Sequence, residues 1–428
     1  MVISPRAAAS GGPARVRRCV VPSLALAAAG ALLAGCGGGP AGGGGKISDG
    51  KVVLAVLNDQ SGVYADVSGR GGVEAVRMAV ADYKAKYGDK AVADTIEVIA
   101  ADHQNKPDVA NSKAQELYDR RKADVILDVP TSSAALAVAN VAKNKKKVFI
   151  DIGAATTELT GKSCNKYTFH YGYNSYMLAH GTGTALTKDG AKNWYVVYPD
   201  YAFGQDMQKT FTAAVRNAGG NVVKSDPAPF PNDNFSTFLL KAPGLDPKPQ
   251  VLGTMQAGGD LVNLVKQYNE YKLRDKGVGL AVGLMFITDI HSLGPDALSE
   301  TRFTDFWYWN MDATNRAWAD KYQAKTGKRP TAVQAGDYSA ALQYLEAVQR
   351  AGTDKSDDVV KQLEGAKVND VFARNGTIRA EDHLLTHDVY LAQVKAFKDV
   401  KEPWDYEKIL KTIPAAEAFQ PVDPACKL

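Results

Sequence analysis

Three short stretches place hydroxyls beside small residues where apolar runs end: Asn58-Asp59-Gln60-Ser61-Gly62-Val63-Tyr64, Pro130-Thr131-Ser132-Ser133 and Gly153-Ala154-Ala155-Thr156-Thr157. Serine and threonine donate and accept hydrogen bonds, and small residues let backbone N–H groups come close to a ligand. Each stretch could therefore hold an anion such as a carboxylate. Any one of them is explained as well by helix capping, but three at one sheet edge would form a surface. A second group offers rings and amides: Tyr173, Tyr198-Pro199-Asp200-Tyr201-Ala202-Phe203-Gly204, Gln256-Ala257-Gly258-Gly259 and Phe286-Ile287-Thr288-Asp289. A hydroxyl-lined face opposite an aromatic face suits a ligand with one charged end and one apolar or aromatic end. The candidate ligand-binding residues are Ser61, Tyr64, Thr131, Ser132, Ala154, Ala155, Thr156, Tyr173, Tyr201, Gln256 and Phe286. For each aromatic taken singly, core packing is the commoner role.

Catalysis finds less support. Gly69-Arg70-Gly71-Gly72 lacks the spacing of a dinucleotide fingerprint and lies more than ten residues beyond its strand. No P-loop, HExxH or GxSxG pattern occurs, and the six histidines show no metal-ligand spacing. Asp102 and His103 are adjacent on a strand, so their side chains point to opposite faces. The expectation is a binding protein without catalytic residues, metal or cofactor.

Elements that bring these loops together follow from the hydrophobic pattern. From residue 51, β-rich apolar runs alternate with amphipathic stretches, the pattern of βαβ units and a parallel sheet. Strands are expected over 52–57, 96–100, 125–127 and 148–150, with helices over 71–87, 109–120 and 133–142. A second series has strands over 194–198, 221–223, 251–255 and 279–282, and helices over 176–187, 203–217 and 260–271. Later helices over 313–326, 335–351 and 357–364 precede a strand over 389–394 and a Pro-punctuated tail. In such sheets ligands sit beyond the carboxyl ends of the strands, where helix N-termini begin. The fold class is α/β with two doubly wound lobes joined by several hinge crossovers. One lobe comprises residues 51–171 plus about 311–370, the other 172–310 plus about 371–428, with the ligand in the cleft between them.

The N-terminus reads as a leader. Four arginines (Arg6, Arg15, Arg17, Arg18) precede an apolar run over 20–33, too short for the roughly 20 residues a spanning helix needs. Leu33-Ala34-Gly35-Cys36 resembles the lipobox of bacterial lipoproteins, which implies lipidation at Cys36 after removal of residues 1–35; an ordinary secretory leader fits the same residues. A Gly-rich tether over 36–50 follows. Without the four leader arginines the chain balances 47 basic against 47 acidic side chains, with no basic face for nucleic acid. Cys164 and Cys426 then remain, and an oxidising compartment invites a disulfide between them, worth roughly 5 kcal/mol in the chain-entropy model. Two separate thiols are the alternative.

Gln60-Ser61-Gly62, the stretch Asp102 to Asp108, Thr131 to Ser133, Ala154 to Thr156 followed by Glu158-Leu159-Thr160, and Tyr201 to Gly204 occur in an order that resembles type I periplasmic binding proteins. Among these the chain is most similar to the branched-chain amino acid (Leu/Ile/Val) receptors of ABC transporters, from Lys51 to the end. The resemblance implies that Thr131 and Ser132, with Ala154, Ala155 and Thr156, hold a ligand carboxylate, and that a second-lobe acid receives an α-ammonium. Here that loop reads Gly283-Leu284-Met285-Phe286-Ile287-Thr288-Asp289, and Asp289 is displaced from the expected place. A subset of the family that takes aromatic carboxylates fits the aromatic lining. The expected protein is an extracytoplasmic, membrane-anchored lipoprotein, monomeric, that closes around a small carboxylate-bearing ligand and delivers it to an ABC permease. A ligand-sensing subunit of a signalling receptor and an exported hydrolase on the same scaffold are the other readings.

Overall fold

The computed structural model describes residues 47–428. The expected leader, Cys36 and most of the Gly-rich tether lie outside the described residues.

The first lobe is built on β1 (Val52–Asn58), β2 (Ile96–Asp102), β3 (Val125–Leu127), β4 (Val148–Asp151) and β5 (Thr168–His170). They form one parallel sheet in the order β2-β1-β3-β4-β5. β1 is buried along its whole length because helices cover both faces, which is why its sequence is uniformly apolar rather than alternating. Val52, Leu54 and Val56 pack with Val73 and Val76 of the helix Gly69–Tyr87. Val53, Ala55 and Leu57 pack on the other side, with Ala110 and Ala114 of Pro107–Asp119 and Ala135 and Val138 of Ser132–Lys145. Each buried Val or Leu is worth roughly 1.5–3 kcal/mol against exposure.

The second lobe repeats the plan with β6 (Asn193–Pro199), β7 (Asn221–Ala228), β8 (Val251–Thr254) and β9 (Gly279–Val282), parallel and ordered β7-β6-β8-β9. β7 runs past the expected 221–223 and through Pro227; as an edge strand it can carry a residue without an N–H. The helix expected over 176–187 is instead Ser175–Leu178, a π-helical turn at Ala179–Gly183, and Thr184–Lys188. At that turn the Thr182 and Thr304 hydroxyls hydrogen-bond at 2.9 Å, and a side chain at Gly181 would overlap Thr304.

The chain then adds β10 (Arg302–Asp305), β11 (Lys367–Val368), β12 (Gly376–Ile378), β13 (Leu385–Thr386), β14 (Val389–Val394) and β15 (Glu407–Ile413). β10-β14-β15 and β11-β12-β13 are small antiparallel sheets. The helix Ala332–Ala351 lies along Gly69–Tyr87 of the first lobe, tied by Tyr338 Oη to Asp82 at 2.7 Å and Tyr83 Oη to Gln349 at 2.6 Å. A bridge between His170 and Leu384 brings the β12–β13 segment to the edge of the first sheet. Cys164 and Cys426 are joined by a disulfide, Cα–Cα 5.4 Å.

Candidate ligand-binding site

β1, β3 and β4 run parallel, so the loops after Asn58, Leu127 and Asp151 emerge at one edge of the first sheet. Thr131 stands at the N-cap position of the helix Ser132–Lys145, but its hydroxyl donates to Asn105 Oδ1 rather than capping the helix amides. In that helix the amides of Ser132 and Ser133 have no intrahelical acceptor, as α-helical geometry requires of a first turn. Ser132 Oγ accepts from the Ala155 amide at 3.3 Å, and Asp151 Oδ2 accepts from the Ala154 amide at 3.1 Å. The Ala154 carbonyl meets His170 Nε2 at 2.7 Å, and Thr156 Oγ1 caps the following turn by accepting from the Glu158 amide at 3.3 Å. Tyr173 spans the loop and donates to the Gly153 carbonyl at 2.7 Å, its ring stacked 4.5 Å from Phe306. The first face is thus fixed by its own hydrogen bonds before any ligand arrives.

Opposite stand Tyr201, Phe203, Leu284 and Phe286. Tyr201 precedes the helix Ala202–Asn217, and its ring lies 4.3 Å from Phe230. Phe286 precedes Ile287–Leu293, and its amide donates to Asp289 Oδ2 at 2.9 Å, so Asp289 caps its own helix. Burial pushes the Asp289 carboxyl up to about 7. Asp260, also pushed up to about 7 by burial, accepts from the Asn232 amide at 3.0 Å and acts electrostatically on Tyr64 and Tyr201.

The lobes touch across the cleft. Tyr64 and Tyr201 hydroxyls hydrogen-bond at 2.6 Å. The Gly259 amide donates to the Val63 carbonyl at 3.1 Å, the Thr157 amide to Asp206 at 2.8 Å and the Ala202 amide to Ser133 Oγ at 3.3 Å. Gly258 has φ of +57°, and a side chain there would overlap the Val63 carbonyl, so glycine is needed for this approach. The space left between the lobes is small, walled by Tyr64, Tyr173, Tyr201, Phe203, Phe286 and Gly153 among others, with no charged side chain in the wall.

Directly behind the wall lie three buried carboxyls. Asp128 Oδ2 accepts from the Ser68 hydroxyl and from Asn58 Nδ2 at 3.3 Å, while its Oδ1 has no partner. A Cβ on Gly153 would sit 2.7 Å from that oxygen, which puts Asp128 against the cleft. Burial raises Asp128 to about 7; burial, then the other acids of the group, raise Asp151 and Asp337 well above the ordinary range. Protonation removes most of the negative charge that would oppose an anionic ligand.

Of the candidates named from sequence, Tyr64, Ala155, Tyr173, Tyr201 and Phe286 wall the cleft. Thr131, Ser132, Ala154 and Thr156 form the layer that holds that wall. Ser61 is exposed at the rim and donates to Asp102 at 2.7 Å. Gln256 is 1% exposed, does not border the space, and neither amide heteroatom has a partner. Val67, Pro130, Gly153, Phe203 and Leu284 complete the wall without having been singled out. Pro130, Gly153, Phe203 and Leu284 stand inside the loops read from sequence, whereas Val67 is an apolar residue that sequence cannot separate from core.

A periplasmic binding protein family profile matches residues 51–400. A solved periplasmic binding protein from Burkholderia mallei is 44% identical, covers 86% of this chain and 96% of its own, and superposes with a TM-score of 0.82. A branched chain amino acid ABC transporter periplasmic ligand-binding protein from Burkholderia xenovorans LB400 is 36% identical over 87% of this chain and 97% of its own, TM-score 0.76. A more distant solute binding protein of an ABC transporter from Rhodopseudomonas palustris BisB5, solved with 3,4-dihydroxy benzoic acid, shares the fold at 23% identity, 86% and 98% coverage and TM-score 0.75. With its two lobes facing across a cleft, this chain belongs to the periplasmic binding protein family, the solute-binding components of ABC transporters.

Proposed function

We propose that the chain is the lipid-anchored receptor of an ABC importer and that it captures a small aromatic or apolar carboxylate lacking an amine. The observation that carries this reading is the composition of the cleft wall, five aromatic rings with no charged side chain. The carboxylate would meet the free amides at the start of Ser132–Lys145 and the tyrosine hydroxyls, and the ring would lie among Tyr173, Tyr201, Phe203 and Phe286. Asp289, the acid nearest the place where family members receive an ammonium, is occupied by the Phe286 amide. The 3,4-dihydroxy benzoic acid complex of the Rhodopseudomonas relative supports an aromatic ligand in this architecture. Closure brings the second-lobe rings onto a ligand already held by the first lobe, and the closed form is the one a permease would receive. Lipidation at Cys36 would keep the receptor beside that permease.

One observation favours an amino acid instead: Asp260 lies close enough to Tyr64 and Tyr201 to influence both. Calorimetric titration with benzoate, 4-hydroxybenzoate, leucine, isoleucine and valine separates the two. Binding of the benzoates alone supports the aromatic acid. Binding of the amino acids alone, abolished in Asp260→Asn, replaces it with the amino acid reading.

A further inference from the structure

The segment Tyr64 to Val67 has two sides. Tyr64 and Val67 face the cleft, while Ala65 and Asp66 face a second, larger cavity of about 1100 Å³ up to its open mouth. That cavity is walled by the start of the helix Gly69–Tyr87 from the first lobe, by Thr288 from the second, and by Tyr322 and Arg329 from the segment that follows.

We propose that this cavity binds a small multivalent oxyanion of the phosphate type, held by the first turn of Gly69–Tyr87, the Arg329 guanidinium and the Thr288 hydroxyl. The helix is 19 residues long with no acidic residue in its first turn, and its N-cap side chain, Ser68, is spent on Asp128 rather than on the helix amides. The positive end of the helix is therefore left for an external anion. Gly71 lets the Tyr322 hydroxyl and the Gln334 amide close directly against this turn.

Two buried side chains in the same wall are independently short of partners. Arg329 is 6% exposed, stacks its guanidinium 3.9 Å over Trp309, gives Nη1 to Asp320, and has Nε unpartnered. Thr288 is 7% exposed and its hydroxyl has no partner. A buried donor without an acceptor is costly, and an anion between them would remove that cost.

The charges in the wall point the same way. Its two carboxylates are already taken, Asp66 by Lys328 at 3.0 Å, and Glu74 by Arg77 at 3.5 Å and Lys325 at 3.7 Å. Arg70, exposed at the same turn, pairs with no acid among the described residues. Because Arg70 belongs to the first lobe and Thr288 to the second, a bound ion bridges the lobes and favours their closed arrangement.

Titration of the protein with inorganic phosphate in a chloride buffer, without any cleft ligand, tests the site independently of what the cleft binds. Saturable binding is expected, weakened by about tenfold or more in Arg70→Gln and in Thr288→Val. The first variant alters only an exposed side chain, so folding is preserved. Heats that fail to saturate, or affinity in both variants unchanged from that of the parent protein, overturn the proposal. Retention on phosphatidylglycerol vesicles without any response to free phosphate also overturns it, assigning the cavity to a lipid headgroup.

Discussion

On one side of the cleft, the first lobe presents a wall whose backing is pinned by hydrogen bonds: Ala155 by Ser132, Ala154 by Asp151, Thr131 by Asn105. On the other, the second lobe presents rings held by packing, Tyr201 against Phe230 and Phe286 at the head of a short helix. The first face offers hydrogen-bonding groups suited to a charged end; the second offers apolar ring surface suited to the remainder of a ligand. On the proposed reading, this difference would let one scaffold keep a constant anchor for a carboxylate while the remainder of the ligand varies.

The largest effect is expected from keeping the two faces apart. Gly258→Val places a branched side chain at positive φ and into the Val63 carbonyl. It is expected to weaken binding of the cleft ligand by roughly 100-fold, about 2.7 kcal/mol. Gly259→Ala is the control, since its added methyl makes ordinary contact with Val63 at 3.7 Å. Equal calorimetric affinity in the two variants would show that closure is not what completes the site.

A smaller effect should come from the charge behind the first face. Asp128 is held up to about 7, so raising the pH through that value ionises it beside the cleft. Affinity for a carboxylate should fall by about tenfold across pH 6 to 8, and Asp128→Asn should lessen the slope, the remainder coming from Asp260 and Asp289. Stability has the same sign for this group. The unfolded chain releases the proton near the ordinary value of about 4 and the folded chain near 7, so this contribution is present below pH 4 and declines as pH rises through the window. His170 and His103, pushed down to about 4 by burial, work in the opposite direction. Their contribution is present above about 6.5 and is lost as pH falls towards 4. Thermal unfolding of the parent and the Asn variant across this range separates the two trends.

The least effect is expected at the rim. Ser61→Ala removes a hydroxyl that bonds Asp102 in solvent, and affinity should stay within about twofold. A larger loss in titration would move the anchor for the carboxylate from the first turn of Ser132–Lys145 towards the first loop.

The two parallel sheets were legible because a strand buried on both faces has an unbroken apolar run, as in β1 and β6. β5, β11 and β13 are two or three residues long and carry no period to read. β15 is partly exposed and lysine-bearing, so it reads as tail. For the cleft, strand-end loops pointed to the right edge, but sequence could not tell a residue that faces the space from one that supports it. Ala155 and Thr156 are neighbours with different roles for that reason. The carboxyl group behind the wall was invisible because Asp128, Asp151 and Asp337 meet only when three distant segments pack.

The bond between Cys164 and Cys426 has a further consequence for a protein working outside the cell. Its two ends lie 262 residues apart in sequence, so the whole second lobe is enclosed within one covalent ring. A single proteolytic cut inside that ring leaves both pieces in one molecule, and the remaining non-covalent contacts can hold the receptor in shape. Only a second cut, or reduction of the bond, lets a fragment leave.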